Sequence, residues 1–151
     1  MDIKWLNAES LFDRLILAGD IGGTNTNLGL VAYRQGHFTL ILEVVFPSQK
    51  IHGLDEPIQK ILQHARERRA DLIPELFCIS AAGPVSDNTC KMTNLSWSVD
   101  GNAISRNFST PTLVINDFLA ISYGVLTLNV HDPNQIHPIA HSDGSLPEAL
   151  P

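Results

Sequence analysis

The sequence predicts a mixed α/β fold, a five-stranded mixed sheet flanked by helices. Three observations lead there. Apolar, β-forming segments follow one another through tight turns near the start, at residues 15–20, 27–33 and 38–46. Apolar residues then recur at helical spacing at Leu54, Ile58, Ile61, Leu62 and Ala65. Beyond them the pattern alternates strand, helix, strand, helix, which is the order of a sheet with helices packed on both faces.

Each element has a local reason. Residues 1–14 are polar and read as a lead-in of helical character. Residues 15–20 form a short apolar strand that ends at glycine and aspartate. The segment Arg34-Gln35-Gly36-His37 is a hairpin loop, and Pro47 ends the third strand. Asp55 suits an N-cap, with Pro57 tolerable in the first helical turn. Residues 76–82 are a continuous apolar run, as expected of a strand covered on both faces, with Cys78 inside it as a core thiol. Residues 85–98 suggest an irregular hairpin, 102–108 a short helix, and 112–115 a further buried strand. A helix follows through Leu126. From Asn129 onward Pro, His, Asn, Asp and Gly dominate. The expected organisation is a lead-in over 1–14, one lobe over 15–128, and a connection or tail over 129–151.

Composition narrows the function. A net charge of -6 argues against nucleic acid, whose phosphates demand clustered Lys and Arg. The densest basic run, Arg66-Glu67-Arg68-Arg69, closes a predicted helix, where cations suit the dipole. Two cysteines imply no disulfide framework and suit a reducing, cytoplasmic setting. Asp13 and Arg14 interrupt the only apolar stretch near the N-terminus, so no signal peptide is expected. No run approaches the roughly 20 apolar residues of a membrane span. His137 and His141 are spaced i, i+4, but Pro138 opposes a helix, so no zinc site is expected.

Gly19, Asp20, Ile21, Gly22, Gly23, Thr24 and Asn25 are the first candidates for chemistry. Backbone N–H groups can approach a polyphosphate only where side chains are absent, which Gly22 and Gly23 provide. Thr24 and Asn25 add short polar donors. Asp20 cannot touch phosphate directly, but it can hold a magnesium ion between them, through water. The turn is neither a Walker loop nor a dinucleotide fingerprint, because no Gly-Lys-Ser/Thr and no G-x-G-x-x-G occurs. Taken alone it is equally a hairpin whose glycines only make the turn. The second candidate pair, Asn116 and Asp117, lies between an apolar strand and an apolar helix. Alone it reads more readily as an N-cap than as a catalytic pair.

Together these segments carry a resemblance. Residues 19–25, the apolar strand into Gly83-Pro84-Val85, Met92-Thr93-Asn94 with Trp97, and Ile115-Asn116-Asp117-Phe118 resemble the bacterial-type glucokinase family. The resemblance implies a ribonuclease-H-like lobe of the actin-like ATPase type and an ATP-dependent kinase acting on glucose. It implies that residues 19–25 bind ATP and that Asp20 holds Mg2+. Asp117 would accept the proton of the sugar 6-hydroxyl, and Asn116, Thr93 and Asn94 would contact the sugar. Trp97 reads as a packing residue. A homodimer is compatible with this reading.

Two departures stand out. The family often has a basic residue where this chain has Asn27. The family also has a second lobe, which no residue here matches, so the expectation is an N-terminal lobe that is inactive alone. Rival readings are a related sugar-sensing regulator and a non-catalytic actin-like ATP-binding domain.

Overall fold

The computed structural model describes residues 2–129 and 132–146. The chain divides into two compact units, residues 1–117 and 118–151. The first is built on a six-stranded sheet. Its strands are β1 (Asp2–Trp5), β2 (Arg14–Ile21), β3 (Asn25–Arg34), β4 (His37–Pro47), β5 (Leu76–Ala81) and, late in the chain, β9 (Thr112–Asn116). Their order is β1-β4-β3-β2-β5-β9. The first four pair antiparallel, and β2, β5 and β9 run parallel. The mixed sheet is therefore as expected, with one strand more. That strand is β1, where a helical lead-in was expected. Asp2, Lys4 and Ile3, Trp5 alternate along it, and its backbone completes the open edge of β4.

The hairpin between β3 and β4 turns at Gln35 and Gly36, with φ values of 48° and 86°. Positive φ at both central residues gives the twist that matches flanking strands. Helix α1 (Asp55–Arg68) buries Ile58, Ile61, Leu62 and Ala65. Complete burial of each larger side chain is worth about 1.5–3 kcal/mol. Asp55 is not its cap: Leu54 occupies the cap position without a side-chain bond. The Asp55 carboxylate instead accepts from Asn107 Nδ2 at 3.1 Å. That bond joins α1 to α2 (Gly101–Phe108), whose cap is Asp100, accepting from the Ala103 N–H.

Both helices lie on one face of the sheet. Leu15, Leu17, Ile21, Leu28, Leu30, Phe77, Ile79 and Ala81 point there and are fully or almost fully buried. The opposite face carries Ile16, Ala18, Leu76 and Cys78, which are half-buried. The expectation of a core thiol at Cys78 is thus corrected. A continuous apolar run does not say which alternate positions face the helices. The core thiol is Cys90, with Met92 Sδ 3.9 Å away.

Beyond β5 a small antiparallel sheet forms from β6 (Val85–Ser86), β7 (Thr89–Lys91) and β8 (Ser98–Asp100). Its tight turn carries Asp87 and Asn88 at positive φ. Helix α3 (Asp117–Val125) starts at the end of β9 and runs into the second unit. There Phe118, Ile121 and Tyr123 are exposed, and turns occur at 126–127, 133–135 and 142–143. Among the described residues no helix is long and apolar enough to cross a membrane.

Candidate active site

The strand pairing brings three C-terminal strand ends together. Asp20 lies level with Ser80 across β2 and β5, and Ala81 with Asn116 across β5 and β9. The ends of β2 and β9 are two strand spacings apart, about 10 Å. Ligands of such sheets gather at these ends.

At the first end, Gly22 and Gly23 join β2 to β3. The Gly22 N–H donates to Asn25 O at 2.9 Å. Neither glycine has a positive φ. A Cβ on Gly23 would meet nothing nearer than Asn94 Cβ at 3.6 Å. The turn itself therefore does not require glycine at position 23, which weakens the plain hairpin reading.

The carbonyls of this turn are held from behind by the 3-10 turn Ser48–Lys50. Ser48 Oγ donates to Gly22 O at 2.7 Å, and the Ser48 N–H to Thr24 O at 2.8 Å. Gln49 Nε2 donates to Gly23 O at 3.3 Å. Three successive acceptors are thus occupied. Among the described residues the N–H groups of Gly23 and Thr24 make no hydrogen bond. With its acceptors engaged and these donors open, the turn offers the backbone N–H groups that an anion site requires.

Gly19 lies within β2 and Ile21 ends it, and both pair with the two neighbouring strands. A Cβ on Gly19 would come within 3.2 Å of Leu28 Cδ2, and Ile21 is fully buried. Their side-chain positions belong to the core. Asp20 is exposed beside the turn, with Asn27 Nδ2 at 3.5 Å from its Oδ2. Thr24 and Asn25 are exposed.

At the other end, Asn116 Nδ2 donates to Gly83 O at 2.8 Å, orienting its amide. Asp117 opens α3 and is half-buried. Burial pushes the Cys90 thiol upward, and the Asp117 carboxylate adds to that shift. Cys90 also packs under the turn after β5: a Cβ on Gly83 would lie 3.0 Å from its Sγ.

Asn94 reaches the glycine turn, and Thr93, which precedes it in the chain, is exposed. Trp97 is half-buried against the core, and its Nε1 donates to Ser48 O at 3.2 Å. It packs, as the sequence suggests. Sequence reasoning missed Ser48, Gln49 and Asn88. The Asn88 side chain donates to Thr112 O and accepts from the Val114 N–H, bracing the edge of β9. A serine and a glutamine after Pro47 look like ordinary loop residues, so no local signal marks them.

The sequence profile of the glucokinase family matches residues 17–148. The glucokinase of Nostoc punctiforme is 38% identical over 129 residues, covering 83% of this chain and 35% of that protein. The glucokinase of Synechocystis sp. is 36% identical over 123 residues, covering 77% and 35%. The chain thus spans about a third of the length of the curated relatives it matches. Among solved structures, a glucokinase from an Antarctic psychrotroph superimposes with a TM-score of 0.64 at 31% identity, over 87% of this chain and 41% of that one. The Balamuthia mandrillaris glucokinase, solved with glucose, shares the fold with a TM-score of 0.59 at 24% identity, over 74% and 32%.

Proposed function

The chain belongs to the glucokinase family, and on that premise we propose that it supplies the phosphate-binding turn and the catalytic carboxylate of an ATP-dependent glucose kinase. The observation that carries this reading is the glycine turn, with its carbonyls engaged from behind and the Gly23 and Thr24 donors open. The Asp117 strand end stands across β5 from it.

The residues fit the groups the reaction needs. The N–H groups of Gly23 and Thr24 receive phosphate oxygens of ATP, with Gly22 and Asn25 framing them. Asp20 would hold Mg2+ through water. The metal, when bound, offsets phosphate charge. Thr93, Asn94 and Asn116 contact the sugar. Asp117 accepts the proton of the 6-hydroxyl as that oxygen bonds to the γ-phosphorus and the bond to ADP breaks. Phosphoryl transfer leaves little covalent work to the protein, so orientation of the hydroxyl is the main contribution of this carboxylate. A cytoplasmic setting goes with this reading, since both cysteines are free thiols.

The chain spans about a third of its relatives' length; on this reading the rest of the cleft lies in the remainder, so the 151-residue chain alone binds ATP and glucose weakly and turns over negligibly. A coupled assay giving about 1–100 turnovers per second from this chain would contradict that. In a protein carrying this chain with the remaining length of its relatives, Asp117→Asn should abolish glucose 6-phosphate formation and preserve glucose binding. Retained turnover with lost binding would reverse the assigned roles.

A further inference from the structure

The Gln49 side chain touches both halves of the site. Its Nε2 donates to Asn94 O at 2.9 Å and to Gly23 O at 3.3 Å. An amide NH2 carries two hydrogens, so one group can serve both carbonyls. The first carbonyl belongs to the loop assigned to the sugar, the second to the turn assigned to phosphate. Gln49 is itself exposed. Water could satisfy either carbonyl, so stability alone gives little reason to immobilise a flexible side chain there.

We propose that Gln49 is a positioning residue that couples the phosphate turn to the Thr93 and Asn94 loop. The inference rests on the kinase reading above. The Gly23 carbonyl shares a peptide with the Thr24 N–H, and linked hydrogen bonds polarise one another. A phosphate that draws on the Thr24 N–H makes Gly23 O a stronger acceptor for Gln49. The shared amide then shifts its balance between Gly23 O and Asn94 O. The Asn94–Leu95 peptide registers the change, although Leu95 packs against the core. Occupancy of the phosphate turn is thereby transmitted to the sugar-side loop through the Gln49 side chain.

The test follows backbone amide resonances of the 151-residue chain during titration with inorganic tripolyphosphate. In the wild type, Gly23, Thr24 and Leu95 should shift with a common midpoint. In Gln49→Met, Gly23 and Thr24 should still shift, with a midpoint about three- to tenfold higher for the lost bonds. Leu95 should stay still, while unchanged dispersion elsewhere shows an intact fold. A Leu95 response that survives Gln49→Met, or that is missing in the wild type while Gly23 responds, overturns the coupling alone. No response at Gly23 in the wild type overturns the phosphate reading and the coupling with it.

Discussion

The buried hydroxyl of Ser48 donates to the carbonyl oxygen of Gly22 across 2.7 Å. A hydroxyl has one hydrogen to give, so the 2.9 Å contact with Thr26 Oγ1 is donated by the threonine. Ser48 and Thr26 are the buried polar side chains among the described residues. Ser48→Ala leaves the part-buried Gly22 O and the buried Thr26 Oγ1 each short of a partner. The expected cost is about 1–3 kcal/mol, read as a lower urea midpoint with an unchanged slope. A midpoint equal to that of the wild type would show that water replaces the hydroxyl.

Asn88 does for β9 what a neighbouring strand would do. Its Oδ1 accepts from the Val114 N–H at 2.7 Å, and its Nδ2 donates to Thr112 O at 2.9 Å. Asn88 also holds a φ of 61°, which asparagine tolerates better than most residues. Asn88→Ala should cost about 2–4 kcal/mol from the lost bonds and the backbone strain. Hydrogen exchange at Val114 should quicken, and the strand end that carries Asn116 and Asp117 should loosen with it. Unchanged protection at Val114 would remove Asn88 from this role.

These two residues mark the limit of what the sequence alone discloses. The central strands were legible because alternating apolar residues and the Gly36 turn fix them locally. Strand β1 was not, because its four residues mix two charges with two apolar side chains and gain their order from β4. The groups expected to face ligand, Gly23 and Asp117, lie in recognisable segments. Ser48, Gln49 and Asn88 act on distant backbone carbonyls, and no local pattern states which carbonyl a side chain will meet. Asp55 shows the same limit from the other side: it looks like a cap and is spent on Asn107.

Acid should loosen the N-terminal loop. Arg69 binds Asp71 through two bonds, at 2.6 and 3.0 Å, and donates to Ala8 O and Ser10 O. The hydrogen bond from Arg69 holds the Asp71 carboxyl below its ordinary range. A depressed folded-state pKa adds stability above the ordinary value, near about 3.9, and that contribution is lost as pH falls through the depressed value. Amides of residues 8–10 should therefore exchange faster as the pH falls below about 4, relative to the intrinsic rate. Arg69→Gln should return Asp71 to the ordinary carboxylate range and remove this pH dependence. An Asp71 titration unaffected by Arg69→Gln would refute the assignment.

The central claim is that the Gly22 and Gly23 turn exists for phosphate and not merely for the chain reversal. Gly23→Ala tests it most directly, because position 23 has no positive φ and a Cβ there meets only ordinary contacts. The measurement is paired: urea stability and tripolyphosphate affinity of the same 151-residue variant. Stability should change by less than about 1 kcal/mol in either direction, as for alanine at a compatible site. Affinity should fall at least about tenfold, a loss of roughly 1.4 kcal/mol, because the methyl group crowds the open N–H groups. Undiminished affinity, or a large loss of stability, would make the turn a plain hairpin and contradict the account.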